Sequence, residues 1–162
     1  MDFLTLNNSV SNFEPDRLLD LIAYNEIVPA VDQIETNLYC QRTAERGWLE
    51  KKGVAPMAYA PLSQGSRNEM YREPAVLALA EKYEKTPAQT LLRFLAQKGI
   101  PVIPRSARSE HIRESFALFD LTLTTEEMAQ LSALDRREPR IGLAETPELV
   151  ERSLTWQKGG CV

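Results

Sequence analysis

The sequence predicts an α/β fold, because short apolar runs and amphipathic helical patterns alternate along the chain. Two strand-like runs, at 29–35 and 54–59, are each followed by a helical pattern. The connections between them are short, which favours parallel strands joined by right-handed crossovers. The alternation alone is compatible with an open doubly wound sheet or with part of a barrel.

Helix signals bracket the strands in the first half of the chain. Pro15 suits a first helical turn, and the pattern that it opens ends near Asn25. A second helix is predicted over 41–52 and is closed by Gly53. An initial strand over 5–10 is the weakest element, because polar residues stand where a buried parallel strand would carry Val or Ile.

The second half repeats the alternation. Pro74 opens a helix, Thr86 caps the next, and Gly99 ends it. The apolar run 100–103 predicts a fourth strand.

Two further caps precede the end of the regular pattern. Ser109 is predicted to cap a helix that runs to about Phe116, and 124–127 forms a capping box before the last helix. The last 25 or so residues show no regular pattern.

Composition narrows the function classes. Hydrophobic residues make up 43% and charged residues 26%, as in a globular protein, and a net charge of -4 argues against a broad nucleic-acid-binding face. We find neither a membrane-length apolar stretch nor a basic secretory flank, so we expect one cytoplasmic domain over 1–162 without a nucleic-acid or membrane partner. Cys40 and Cys161 lack framework spacing and are predicted to be free thiols.

Four motifs stand at the ends of the predicted strands. They are VSNF at 10–13, QIE at 33–35, AYAPL at 58–62 and VIPRS at 102–106. Their order and spacing resemble those of the last four barrel strands of the aldo-keto reductases, and the resemblance covers about 10–134. It implies a partial (β/α)8 TIM barrel, its C-terminal half, with a C-terminal helix and a variable tail over 135–162.

The resemblance assigns the first three motifs to the nicotinamide end of a bound cofactor. Ser11, Asn12 and Gln33 would hold the carboxamide, for which neutral donors and acceptors are suited. Tyr59 would stack on the nicotinamide ring; without the family context, it is interpreted as a core aromatic.

The following loop and the fourth motif would lie along the rest of the cofactor. Leu62 and Ser63 match positions beside the pyrophosphate. Arg105 and Ser106 stand at the family's Lys-Ser, and arginine can bind a 2′-phosphate bidentately. The resemblance therefore implies NADP(H) in preference to NAD(H).

The family pattern is changed at two positions near the adenosine. His111 replaces the usual arginine and Ser115 the usual asparagine, so Arg108 or Arg113 could substitute. His111 is the only histidine of the chain, but its predicted helix lies on the adenine side, which favours a surface or phosphate-contacting role over a catalytic one.

The catalytic group that the resemblance implies has no match in this chain. The family's acid tyrosine and its lysine, histidine and aspartate lie on the first four strands, which no segment here resembles. We therefore predict no catalytic residue and no metal site, and a truncated chain that is inactive alone. A small-molecule carbonyl substrate would be reduced only after a missing half completes the barrel.

Three functional hypotheses remain from the sequence. The leading one is an oxidoreductase polypeptide that retains the cofactor site, and its rivals are a non-catalytic NADP(H)-binding or partner-binding subunit and a non-functional fragment. A half barrel would expose two sheet edges and an apolar interior, so self-association is expected.

Overall fold

The computed structural model of the chain describes residues 8–63, 67–137 and 151. Within these ranges it contains a parallel sheet of three strands in the order β1 (Ser9–Ser11), β2 (Val31–Glu35) and β3 (Ala55–Tyr59). The first strand was predicted over 5–10; of that range, residues 5–7 lie outside the described residues.

Helices separate and follow the strands, as the alternating pattern predicted. They are α1 (Pro15–Tyr24), α2 (Thr43–Lys51), α3 (Arg67–Tyr71), α4 (Pro74–Lys82), α5 (Pro87–Gln97), α6 (Ser109–Phe116) and α7 (Thr125–Ser132). The α/β class and the partial barrel are confirmed. α3 was not predicted, because its five residues lie in what looked like a polar loop.

The predicted fourth strand is reduced to a single parallel bridge between Ala58 and Val102. The N–H of Ala58 donates to the oxygen of Pro101 at 2.8 Å, which keeps this segment beside β3. Pro101 and Pro104 have no N–H to donate, so a longer ladder cannot form on both sides of Val102. The prediction of a full strand over 100–103 was therefore wrong.

Two helix starts have capping boxes, the one predicted at 124–127 and one at Thr86, where only a cap was predicted. In α5 the Thr86 hydroxyl accepts from the N–H of Gln89, whose side chain accepts from the N–H of Thr86. In α7 Thr124 and Glu127 make the same reciprocal pair. Each box satisfies two N–H groups that the first helical turn would leave unpaired.

The cap of α6 differs from the prediction. Arg108 occupies the N-cap position and Ser109 is already helical, so Ser109 does not cap. A turn precedes the helix instead, in which the Ser106 hydroxyl accepts from the N–H of Arg108 at 3.0 Å. A hydroxyl two residues upstream thus provides the local hydrogen bond expected of a cap.

Two apolar clusters hold the helices on the sheet. The smaller joins α1 and α2 to the sheet through Leu18, Ile34, Leu49 and Val54. The larger lies between the sheet and α4, α5 and α7, and its fully buried members include Leu38, Ala58, Met70, Val76, Leu91, Phe94, Leu95 and Leu131. Cys40 is buried and free, and Cys161 lies outside the described residues.

Gln41 ties the loop after β2 to the end of α7. Its side-chain amide donates to the oxygens of Leu38, Leu131 and Ser132 at 3.0, 3.2 and 3.2 Å. Because Gln41 is only 2% exposed, these bonds are shielded from water. Among the described helices, none has the length and apolar character needed to cross a bilayer.

Candidate cofactor site

The ends of β1 and β2 bring together the first three predicted nicotinamide-binding residues. Ser11 and Gln33 are direct partners in the β1–β2 register. The Ser11 hydroxyl donates to the main-chain oxygen of Gln33 at 2.9 Å, and the N–H of Asn12 donates to the same oxygen at 3.0 Å. The side-chain amide of Gln33 donates to the sulfur of Met57 at 3.4 Å, which orients it along the neighbouring strand.

A hydrogen bond connects this group to the end of β3. The side chain of Asn12 hydrogen-bonds Tyr59, so two predicted cofactor residues from separate strands meet. Asn12 has a φ of 57°, a left-handed conformation that asparagine tolerates better than most residues. Ala60, directly after β3, has a φ of 49°, and non-glycine residues in this region often mark functional turns.

Tyr59 is half-buried, and its electrostatic surroundings keep the phenol neutral. Burial is the main cause that raises the pKa of Tyr59, and the negative charge of Glu35, its partner in the β2–β3 register, raises it further. The hydrogen bond from Asn12 opposes this shift without reversing it. Tyr59 therefore offers a neutral aromatic face rather than an ionised group.

The loop after β3 makes a tight turn that fixes Ser63. The N–H of Ser63 donates to the oxygen of Ala60 at 2.8 Å, and Ser63 itself has a φ of 54°. Ser63 is buried and does not line the cleft that its neighbour Leu62 enters.

A cleft between the loop after β3, α5 and α6 gathers five of the predicted residues. From the prediction it contains Leu62, Arg105, Ser106, His111 and Ser115. Further lining residues that the sequence did not single out are Tyr71, Ala88, Gln89, Leu92, Pro104 and Glu114. The structure thus divides nine of the ten predicted residues between two places, this cleft and a strand-end group, and leaves Ser63 in neither. The strand-end group consists of Ser11, Asn12, Gln33 and Tyr59.

Gln89 holds the walls of the cleft together. Its side-chain amide donates to the oxygens of Glu114 and Ala117 at 3.1 and 3.0 Å, which joins the start of α5 to the end of α6. The capping box of α5 contained the sequence signal for a structured Gln89, but nothing local indicated its partners on α6.

The charges in the cleft suit a phosphate group. The exposed guanidinium of Arg105 lies beside the hydroxyl-bearing Ser106, and Glu114 is the one carboxylate among the described lining residues. Arg108 and Arg113 do not line the cleft, and Arg108 pairs with Glu110 at 3.4 Å. Arg105 is therefore the cation best positioned to bind an anion here.

Ser115 lines the cleft with its hydroxyl already committed as a donor. That hydroxyl donates to the oxygen of His111 one helical turn earlier, at 2.8 Å. Ser115 can still accept a hydrogen bond from a ligand, whereas the exposed His111 can contact one directly.

Two tyrosines outside the site have structural partners. The Tyr39 hydroxyl donates to Glu73 at 2.9 Å, and burial together with that carboxylate raises the pKa of Tyr39 to about 12. The Tyr83 hydroxyl donates to Glu127 at 2.7 Å. Across the described ranges, no three His, Cys, Asp or Glu side chains are grouped to hold a metal ion.

Comparison with known proteins identifies the family. The model of the aldo/keto reductase family matches residues 4–136. An aldo-keto reductase of Mycolicibacterium smegmatis is 40% identical over 126 residues, which cover 78% of this chain and 45% of that protein.

Solved structures agree with the sequence match. The enzyme MGS-M4, an aldo-keto reductase from a deep-sea metagenome library, superposes with a TM-score of 0.80 at 30% identity over 83% of this chain and 49% of that one. A Bombyx mori aldo-keto reductase in complex with NADP gives 0.75 at 30% identity, over 85% and 47%. The chain spans about half the length of these relatives, and it belongs to the aldo/keto reductase family.

Proposed function

We propose that this chain is the cofactor-binding half of an NADP(H)-dependent oxidoreductase that interconverts carbonyls and alcohols. The observation that carries the proposal is the presence of neutral polar groups at the ends of β1, β2 and β3 together with an arginine-containing cleft to which the loop after β3 contributes Leu62. A dinucleotide cofactor needs both, because its nicotinamide end is recognised by hydrogen bonds and its phosphates by cations.

The strand-end group would bind the nicotinamide. Ser11, Asn12 and Gln33 offer hydroxyl and amide groups for the carboxamide, and the neutral ring of Tyr59 offers a surface for stacking. The bound nicotinamide would supply or accept the hydride. These side chains contribute orientation, since none of them is poised to move a proton at neutral pH.

The cleft would bind the adenosine end. Arg105 and Ser106 would contact the 2′-phosphate, with His111 and Ser115 beside it and Leu62 along the pyrophosphate. Ser63 is buried outside the cleft and would act by fixing the turn that carries Leu62. The relative from Bombyx mori was solved with NADP, which supports this cofactor over NAD. The preference for NADP(H) rests on Arg105, the cation of the cleft.

We further propose that this segment does not turn over substrate alone. The family resemblance assigns the proton-donating tyrosine and its partners to the first four strands, and the described residues provide no equivalent group beside Ser11 and Gln33. A carbonyl substrate would then need a second polypeptide segment, from a partner chain or a longer form of this one.

Replacing Arg105 with alanine is expected to weaken NADPH binding by about tenfold, because one charge-assisted hydrogen-bonding group to phosphate is lost. Binding would be followed by nucleotide fluorescence and by the thermal shift of the folded chain. Arg17→Ala, an exposed arginine on α1, is the matched control and should leave affinity unchanged. Equal effects of both variants, or no saturable binding by folded protein, would contradict the proposal.

Replacing His111 with arginine is expected to tighten NADPH binding several-fold and to leave NADH binding nearly unchanged. The added guanidinium would reach the same cleft as Arg105, and only NADPH carries the 2′-phosphate. Titration of His111→Arg with both nucleotides separates the effect on the 2′-phosphate from any effect on the rest of the cofactor. An equal gain for both nucleotides would mean that His111 does not face the 2′-phosphate.

A further inference from the structure

A second cavity lies where the loop after β2 meets α2, the end of α5 and the end of α7. It encloses about 850 Å³ and shares no lining residue with the cofactor cleft. A volume of this size is sufficient for a small organic ligand. Its charged lining residues are the cations Arg42, Arg46, Lys98 and Arg137 and the carboxylates Glu45 and Asp135.

The two carboxylates of this cavity are engaged locally. Glu45 pairs with Arg42 at 3.3 Å, and Arg42 pairs at the same distance with Glu14. One oxygen of Asp135 accepts the N–H groups of Gln41 and Arg137, both at 3.1 Å. Within the described parts of the chain, three cations therefore have no carboxylate within ion-pair distance, namely Arg46, Lys98 and Arg137.

Gln41 holds two of these cations at the same place. The Nε of Arg46 donates to the main-chain oxygen of Gln41 at 2.9 Å, and the Nζ of Lys98 donates to its side-chain oxygen at 2.7 Å. Arg46 is only 8% exposed, and its terminal nitrogens have no partner among the described residues. Glu50, Asp135 and Glu45 act on Arg46 without an ion pair and offset the effect of its burial only in part, so a bound anion would stabilise both cations further.

Burial and a neighbouring positive charge make Lys98 easier to deprotonate than an ordinary lysine. Burial, followed by the charge of Arg46, lowers the pKa of Lys98 to about 8, and Asp135 opposes that shift only in part. An anion bound in the cavity would raise this pKa, so binding and protonation of Lys98 support each other.

The amino terminus of α2 opens on the same cavity. Arg42 is its N-cap and provides no side-chain hydrogen bond to the first turn, whose residues Thr43 and Ala44 line the cavity. The Nε of Arg42 is buried, with no hydrogen-bond partner in the described ranges. An uncapped helix start with free N–H donors attracts negative charge.

We propose that this cavity is a binding site for a phosphate group, as inorganic phosphate or as the phosphate ester of a small molecule, held by Arg46, Lys98 and Arg137 at the start of α2. The proposal does not depend on the cofactor site. Four lines of geometry converge on it: the cavity, the Arg46 guanidinium without a carboxylate at ion-pair distance among the described residues, the adjacent Lys98 ammonium and the uncapped start of α2.

The test is calorimetric titration of the full chain at constant ionic strength, with inorganic phosphate in one arm and glycerol 3-phosphate in the other. We expect saturable binding of one equivalent, weakened about tenfold or more by Lys98→Gln or by Arg137→Gln. Arg137 is exposed, so its variant should fold even if a change at Lys98 disturbs packing. Lys51→Gln, an exposed lysine on α2 outside the cavity, is the matched control and should stay within twofold.

The variants also separate this site from the cofactor cleft. Tighter binding of the ester than of inorganic phosphate would assign the site to a phosphorylated metabolite, and the reverse order to free phosphate. Phosphate binding that is lost in Arg105→Ala but kept in Lys98→Gln would overturn the proposal, because the anion would then occupy the cofactor cleft. No saturable binding, or equal weakening by Lys51→Gln, would overturn it as well.

Discussion

Replacing Phe94 with alanine is expected to lower the free energy of unfolding by about 3–5 kcal/mol, the range for removing a buried phenyl group. Phe94 is fully buried at the centre of the larger apolar cluster, on the inner face of α5. Its ring also lies 4.2 Å from the ammonium of Lys98, a cation–π contact that alanine would remove. The loss therefore combines a cavity with a lost electrostatic contact.

The chain provides a matched control for this change. Phe116 at the end of α6 is 73% exposed, so Phe116→Ala deletes the same atoms from a site that is largely in water and should change stability by less than about 0.5 kcal/mol. Urea unfolding followed by circular dichroism measures both. If Phe94→Ala leaves no folded protein, Phe94→Leu should give a smaller loss of about 1 kcal/mol. Similar losses at the two phenylalanines would contradict the described core.

Replacing Asp32 with asparagine is expected to raise the free energy of unfolding at pH 7 by about 1–3 kcal/mol, because it removes a buried charge whose burial its neighbours offset only in part. Asp32 lies in β2 and is fully buried, and among the described residues neither carboxyl oxygen has a hydrogen bond of regular geometry, although the Phe13 backbone lies near enough to favour the ionised form. Asparagine has nearly the same shape, so the packing of β2 should be kept. The cost of burying a neutral amide is smaller than that of a carboxylate.

The stability gained by Asp32→Asn is expected to increase as the pH rises. Burial raises the pKa of Asp32 above its usual 3.8, and the nearby Phe13 backbone and Arg42 offset this only in part. The folded state then holds the proton more tightly than the unfolded state, so the Asp32 contribution to stability is present below pH 3.8 and is lost as pH rises through the folded-state pKa. The advantage of Asp32→Asn should accordingly grow from about pH 4 upward.

Asp120 is a control because its contribution to stability changes with pH in the opposite direction to that of Asp32. Its hydrogen bond to Lys85 lowers the pKa of Asp120, so its contribution is present above the unfolded-state pKa and is lost as pH falls. Unfolding free energies of both Asp-to-Asn variants, measured between pH 4 and pH 8, should therefore diverge. An Asp32→Asn variant that is less stable than the parent chain at pH 7 would show that Asp32 has a compensating partner.

The predictable part of the fold depended on local signals. Pro15 at the start of α1, the Thr86 cap of α5 and the capping box of α7 act within one helical turn, so the sequence indicates them directly. The elements that the sequence did not predict are held by contacts with residues far away in the chain. α3 packs Met70 into the larger cluster, and that tertiary contact, rather than a cap or a long apolar stripe, holds its five residues.

The candidate site was predictable to a similar degree. The family resemblance named five of the eleven residues that line the cofactor cleft, because the motifs of the family keep their order and spacing in the sequence. The bond from Asn12 to Tyr59 and the bonds from Gln89 to α6 could not be predicted, since each joins residues far apart in the chain. The second cavity has the same character, because Lys98 and Gln41 are 57 positions apart.

The long-range contacts of Gln41 are expected to form late in folding. The acceptor on Leu131 lies 90 positions later, and the N–H of Arg136 donates to the oxygen of Tyr39 over a similar separation. Closing a chain loop of this length is entropically costly and gives a high contact order, so this closure should be a late event. During synthesis on the ribosome, the segment between β2 and α2 could form its final contacts only after nearly all of the described chain has emerged.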